Sequence, residues 1–116
     1  MLNTHGILKL NNSWIGENVW LDSLELIKIG DNTCISQGSY LCTGNHDWTD
    51  QAFKLVVKPI IIEDGVWVGS KSIINPGVTL KTHSVITAGS TVTKDTDPFT
   101  IYQGIPAQPE KKRIIS

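Results

Sequence analysis

Three histidines, at positions 5, 46 and 83, and two cysteines, Cys34 and Cys42, are the side chains of this 116-residue chain best suited to general-base, nucleophilic or metal chemistry. Moving a group onto a hydroxyl needs a base that takes the hydroxyl proton as attack proceeds. Histidine, which titrates near neutral pH, suits that task. His46 lies in the polar stretch Asn45-His46-Asp47-Trp48, where a surface-loop histidine without a role is the plain alternative. Cys42, His46 and Asp47 could be imagined as metal ligands, but their spacing carries no zinc signature, and no metal is expected. Cys34 and Cys42 form neither a CxxC pair nor a disulfide framework and read as free thiols in a reducing compartment. His5 and His83 read as surface residues.

The elements that position these side chains follow from a repeat. From Ile62 onward an aliphatic residue recurs every six positions: Ile62, Val68, Ile74, Leu80, Ile86 and Val92. Four residues after each stands a small one: Val66, Ser72, Val78, Ser84, Ser90 and Thr96. A helix has a period of 3.6 and cannot produce this recurrence. A six-residue unit is one short strand plus one turn, and three of them close a coil of about 18 residues. The leading aliphatic points inward and the smaller residue fills a corner. Asp64-Gly65 and Pro76-Gly77 are the turn chemistry this needs. The period does not fix the hand of the coil.

The first half repeats less regularly. Ile15-Gly16 with Val19, Ile29-Gly30 with Thr33, and Ile35-Ser36 with Ser39 fit the template. Leu21-Asp22 has Glu25 where a small residue belongs, and Leu21 to Ile29 is a step of eight, so two residues must bulge. From Ile35 to Ile61 the coil takes 27 residues, nine more than a regular one. The excess is expected as a loop over about 45–59, thrown from one corner on the face that in solenoids often binds. The expected organisation is one domain: an irregular segment 1–14, a coil over 15–97 with that loop, and a tail over 98–116.

Composition limits the partners. Ten Lys plus Arg against eleven Asp plus Glu leave a net charge of −1, so no basic face for nucleic acid or an anionic membrane is expected. Apolar runs such as Ile60-Ile61-Ile62 are too short to span a bilayer. Met1 to Leu10 lacks the form of a signal peptide, and a cytoplasmic location is expected.

The stretch Cys42-Thr43-Gly44-Asn45-His46-Asp47-Trp48, followed by Lys58-Pro59-Ile60-Ile61-Ile62-Glu63-Asp64-Gly65-Val66-Trp67-Val68-Gly69, resembles the hexapeptide-repeat acyltransferases. So do Asn75-Pro76-Gly77-Val78, Ala88-Gly89-Ser90, Val92-Thr93-Lys94-Asp95 and Gly104-Ile105-Pro106-Ala107. Within them the chain is most similar to the acetyltransferases assigned to colanic acid biosynthesis, relatives of the maltose, galactoside and nodulation O-acetyltransferases. The resemblance covers roughly Ile15 to Arg113, and members usually carry more coil upstream. It implies an all-β, left-handed parallel β-helix with one protruding loop, a homotrimer, and acetyl transfer from acetyl-CoA to a hydroxyl of a sugar or sugar-containing acceptor.

Residue by residue, the resemblance makes His46 the catalytic base and a backbone N–H at Ser70 the donor to the thioester oxygen. It places Ala88 and Gly89 against the pantetheine arm, with tight coil packing as the structural alternative, and Thr93 and Lys94 at the CoA chain and phosphates. Lys111 and Arg113 could meet phosphates, though a solvated tail is the plainer reading. Trp67 could line the cofactor cleft and Trp48 the acceptor cleft, or both could pack between subunits. Asn45 and Asp22 are candidates for the acceptor, Asp22 otherwise serving as a turn residue. Two other functions fit the coil. A γ-type carbonic anhydrase would need a zinc triad, and the three histidines lie in unlike settings. A shortened, non-catalytic binding or structural module is the remaining alternative, since a fold does not by itself give a function.

Overall fold

A computed structural model of the chain describes residues 12–116. His5 and most of the segment 1–14 lie outside the described residues. Among the described residues fifteen strands follow one another and no helix occurs. The first coil is β1 (Trp14–Ile15), β2 (Trp20–Asp22) and β3 (Ile27–Ile29). The second is β4 (Cys34–Ile35), β5 (Tyr40–Cys42) and, beyond an arm, β8 (Ile60–Ile62). The third is β9 (Trp67–Val68), β10 (Ile73–Ile74) and β11 (Thr79–Leu80), and β12 (Val85–Ile86) and β13 (Thr91–Val92) begin a fourth. Like strands stack in parallel on like: β1-β4-β9-β12 form one face, β2-β5-β10-β13 a second and β3-β8-β11 a third. The result is a three-sided prism within an envelope of 52 × 28 × 20 Å.

All twelve repeat positions from Ile62 to Thr96 are buried, so one column of aliphatics and one of small residues fill the prism. The buried hydroxyls at the repeat positions pair, as buried polar groups generally do, whereas Ser23 Oγ, in the irregular first coil, has no partner among the described residues. Ser72 Oγ donates to Thr87 O at 3.1 Å, and Thr96 Oγ1 to Ser84 Oγ at 3.0 Å. Corners require the left-handed backbone. Glycine supplies it at Gly38, Gly65, Gly77 and Gly89, while Asn18, Asn32, Lys71, His83 and Phe99 adopt it with φ of 52 to 59°. His83 is half-buried there, stacked on Phe99 at a centroid distance of 4.5 Å, instead of lying free on the surface.

The eight-residue step resolves as expected into a bulge. Thr43 Oγ1 donates to Asp22 O at 2.8 Å and accepts Glu25 N–H at 3.1 Å, which ties the extra residues to the second coil. The long coil is longer than the sequence indicated. Ile35 is in register with Val68, 33 positions on, against 18 from Val68 to Ile86. Ile60 and Ile62 of β8 face inward, Ile62 as the six-residue spacing predicts, and Ile61, on which the count of the long coil ended, faces outward and is half-buried.

The segment 98–116, expected as a tail, holds β14 (Thr100–Gly104) and β15 (Ala107–Lys112). β14 continues the first face beside β12, and β15 returns antiparallel along its open edge. That pairing covers strand edges that would otherwise recruit another chain. Tyr102 points inward over Ile86 and accepts the Asp97 N–H through its hydroxyl at 2.8 Å, closing that end of the core.

Candidate active site

The arm leaves the prism between the second and third faces. β6 (Gly44–His46) and β7 (Leu55–Val57) pair antiparallel, with Asn45 opposite Val56. Asp47 N–H donates to Lys54 O at 2.9 Å at its tip. His46 is exposed, and its Nδ1 lies 2.8 Å from Phe53 O. A main-chain carbonyl only accepts, so Nδ1 carries the hydrogen. In the neutral ring Nε2 therefore keeps its lone pair. Phe53 offers this carbonyl from a left-handed backbone, φ 52°. The neighbouring Asp47 does not orient the histidine. Its carboxylate accepts the Thr49 hydroxyl at 2.6 Å and the Thr49 N–H at 2.9 Å, bonds that hold it below the usual carboxylate range.

A cleft of about 460 Å³ lies over the corner that leaves the first face. Trp67, Ser70 and Ala88 line it together with Ser36, Gln37, Gly69 and Thr87. Its floor is close-packed main chain. A Cβ on Gly69 would sit 2.5 Å from Ala88 N and 2.7 Å from Ile86 O, so glycine there lets two coils touch. Gly89, with φ 72°, borders the cleft, and its N–H donates to Ser70 O at 2.9 Å. The N–H groups of Ser70 and Ala88 make no hydrogen bond among the described residues.

The remaining candidates sit elsewhere. Asn45 and Thr93 share a polar pocket of about 170 Å³ with Lys58, Val56, Asn75 and Pro76, and Lys94 is exposed next to Thr93. Asp22 is half-buried at the end of β2, where its Oδ2 accepts the Tyr40 hydroxyl at 2.9 Å. Burial first, then bonding to Cys42 and Asp22, raises the Tyr40 phenol above its ordinary pKa. Trp48 is 81% exposed at the arm tip. Lys111 is exposed on β15 and borders a shallow pocket with Asp97 and Glu110. Arg113 is committed: its Nη1 donates to Gly65 O at 2.8 Å and to His83 O at 3.2 Å.

Within one chain the candidates thus fall on two edges. Trp67, Ser70, Ala88 and Gly89 occupy one; His46, Asn45, Thr93, Lys94 and Asp22 gather at the other, across the second face. Ser36, Gln37, Gly69 and Lys58 were not singled out from sequence. Ser36 and Gly69 follow the inward Ile35 and Val68 of the face that carries Trp67, and that position was the signal. No group of three or more His, Cys, Asp or Glu able to hold a metal occurs among the described residues.

Residues 59–94 match the family model described as a hexapeptide repeat of succinyl-transferase. The structure superimposes on a maltose O-acetyltransferase from Clostridium difficile 630 with a TM-score of 0.89 at 31% identity, covering 96% of this chain and 61% of that one. The fold is that of the hexapeptide-repeat acyltransferases. It is a left-handed β-helix. WcaF of Escherichia coli K12, assigned as a colanic acid biosynthesis acetyltransferase, is 37% identical over 102 residues, 88% of this chain and 56% of its own length. The galactoside O-acetyltransferase of the same organism is 40% identical over 85 residues, 71% of this chain and 42% of its own. The chain therefore spans about half the length of these two curated relatives. No helix of the described residues is long and apolar enough to cross a membrane.

Proposed function

We propose that the protein is a CoA-dependent O-acetyltransferase that moves acetyl from acetyl-CoA to a hydroxyl of a sugar or sugar-containing acceptor. The observation that carries this is the exposed His46, its tautomer set by Phe53 O so that Nε2 is free to act as a base. His46 Nε2 takes the proton of the acceptor hydroxyl while that oxygen attacks the thioester carbonyl. The Ser70 N–H, left without a partner, donates to the oxygen as it gains negative charge. Collapse breaks the carbon–sulfur bond, and the His46 imidazolium returns the proton to the departing thiolate. The donor fits the first-face cleft, where the unpaired Ala88 N–H suits an amide carbonyl of the pantetheine arm.

The two-edge arrangement calls for a second copy. A homotrimer closes it, one coil presenting Trp67, Ser70 and Ala88 and its neighbour presenting His46, Asn45, Thr93 and Lys94 around one donor. Closed point-group assemblies are the usual form of homo-oligomers. Trp14, Trp20 and Trp67, each about half-exposed on adjoining faces, provide apolar surface for that contact. Asp22 and Trp48 lie on the arm side, where the acceptor enters. The reading places the protein in the cytoplasm with its donor. Its test is thiol release from acetyl-CoA with a panel of pyranosides, the products identified by mass. Acetylated sugar that disappears in His46→Ala supports the reading, whereas CoA binding without transfer to any acceptor would leave the non-catalytic module.

A further inference from the structure

Ser36 has no part in the chemistry above, yet its side chain hydrogen-bonds the indole that walls the cleft. It is 9% exposed, at the corner after β4, and its N–H donates to Val68 O at 2.9 Å, which fixes its main chain. Its Oγ accepts the Trp67 Nε1–H at 2.9 Å. Trp67 itself is 49% exposed, and its ladder neighbours, Cys34 and Val85, are too small to clamp an indole by packing. A half-exposed tryptophan on a strand has several staggered side-chain orientations open to it. A donor-only indole N–H tied to one acceptor retains one of them.

We propose that Ser36 is a positioning residue for the acyl donor: it holds the Trp67 ring upright as a preformed wall, so the pantetheine arm slides between that ring and the Ser70–Ala88 floor. The inference rests on the acetyltransferase reading. Preformed walls raise affinity by removing the ordering cost from the binding step. The effect therefore belongs to donor binding and not to the chemical step. In the other coils of this face the equivalent positions are Gly16, Gly69 and Thr87. The two glycines have no side chain with which to accept, and Thr87 Oγ1 is paired with Ser90 Oγ at 3.0 Å.

The experiment is a double-mutant cycle read by calorimetric titration with CoA and by steady-state kinetics. Ser36→Ala is expected to raise the CoA Kd and the acetyl-CoA KM about three- to tenfold, the scale of one hydrogen bond. kcat and the acceptor KM should stay unchanged, and Ser36→Thr should recover the affinity. In a Trp67→Phe background, which lacks the N–H, Ser36→Ala should add nothing. An unchanged Kd in Ser36→Ala while Trp67→Phe weakens binding would overturn the role, as would an undiminished Ser36→Ala effect without the indole. Wild-type protein that binds no CoA would bring down the acetyltransferase reading itself, and this role with it. Indole N–H exchange in the same proteins separates a loosened ring, expected in Ser36→Ala alone, from global unfolding.

Discussion

Gly69 and Gly89 flank the same cleft, and replacing each by alanine should have different costs for different reasons. At Gly69 the new Cβ would meet three main-chain atoms of the next coil, Ala88 N at 2.5 Å, Ile86 O at 2.7 Å and Thr87 C at 2.8 Å. None of these is the end of a flexible side chain, so the coils must separate at the corner that forms the cleft floor. Overpacking against rigid backbone costs about 3 kcal/mol, which for a domain of this size lowers Tm by roughly 10–15 °C. At Gly89 the Cβ would have nothing within 4 Å, and only the left-handed φ of 72° is unfavourable, a cost of about 1 kcal/mol or roughly 5 °C. Thermal unfolding followed by circular dichroism measures both. Gly69→Ala should also weaken CoA binding more than Gly89→Ala, because it displaces Ala88. Equal Tm values, or a larger loss at Gly89, would refute the close-packed floor.

His46→Ala should lower kcat about a hundredfold or more and leave Tm unchanged, since the side chain is exposed and bonds only Phe53 O; steady-state assay at saturating acceptor checks it. Lys94→Ala should weaken acetyl-CoA roughly five- to twentyfold if its ammonium meets a phosphate, and added salt should shrink the difference; a titration at two ionic strengths decides. Arg113→Ala removes the bonds that staple the last strand to Gly65 O and His83 O and should cost about 2 kcal/mol, seen as a lower Tm with unchanged CoA affinity.

The regular half of the coil was legible because its repeat is strict: Ile62, Val68, Ile74, Leu80, Ile86 and Val92 all point inward as their spacing required. Where the period broke, phase was lost. Ile60-Ile61-Ile62 is apolar at every position, so only the spacing to Val68 marks Ile62 as inward, and the count of the long coil, which ended on the outward Ile61, lost the phase. The tail hid its strands because the inward residue over Ile86 is Tyr102, sixteen positions on, an aromatic outside the aliphatic pattern. His46 could be found from its motif, but its orienting partner could not. That partner is a main-chain carbonyl at Phe53, seven residues away on a turn no spacing rule marks. Ser36 and Trp67 are 31 residues apart in sequence and adjacent only through the β4–β9 register. Arg113, read as part of a basic terminus, is instead held by two carbonyls from different coils.

A site shared between copies makes a direct demand on mixed assemblies. His46→Ala lacks the base, and Ala88→Trp fills the cleft on the opposite edge, so each variant alone should be inactive. Co-expressed with different tags and purified as mixed trimers, they should regain about a third of wild-type turnover, because every mixed trimer joins an intact His46 edge to an intact Ala88 edge at one of its three interfaces. Mixed trimers as inactive as either parent would contradict the shared site and place the whole reaction within a single copy of the chain.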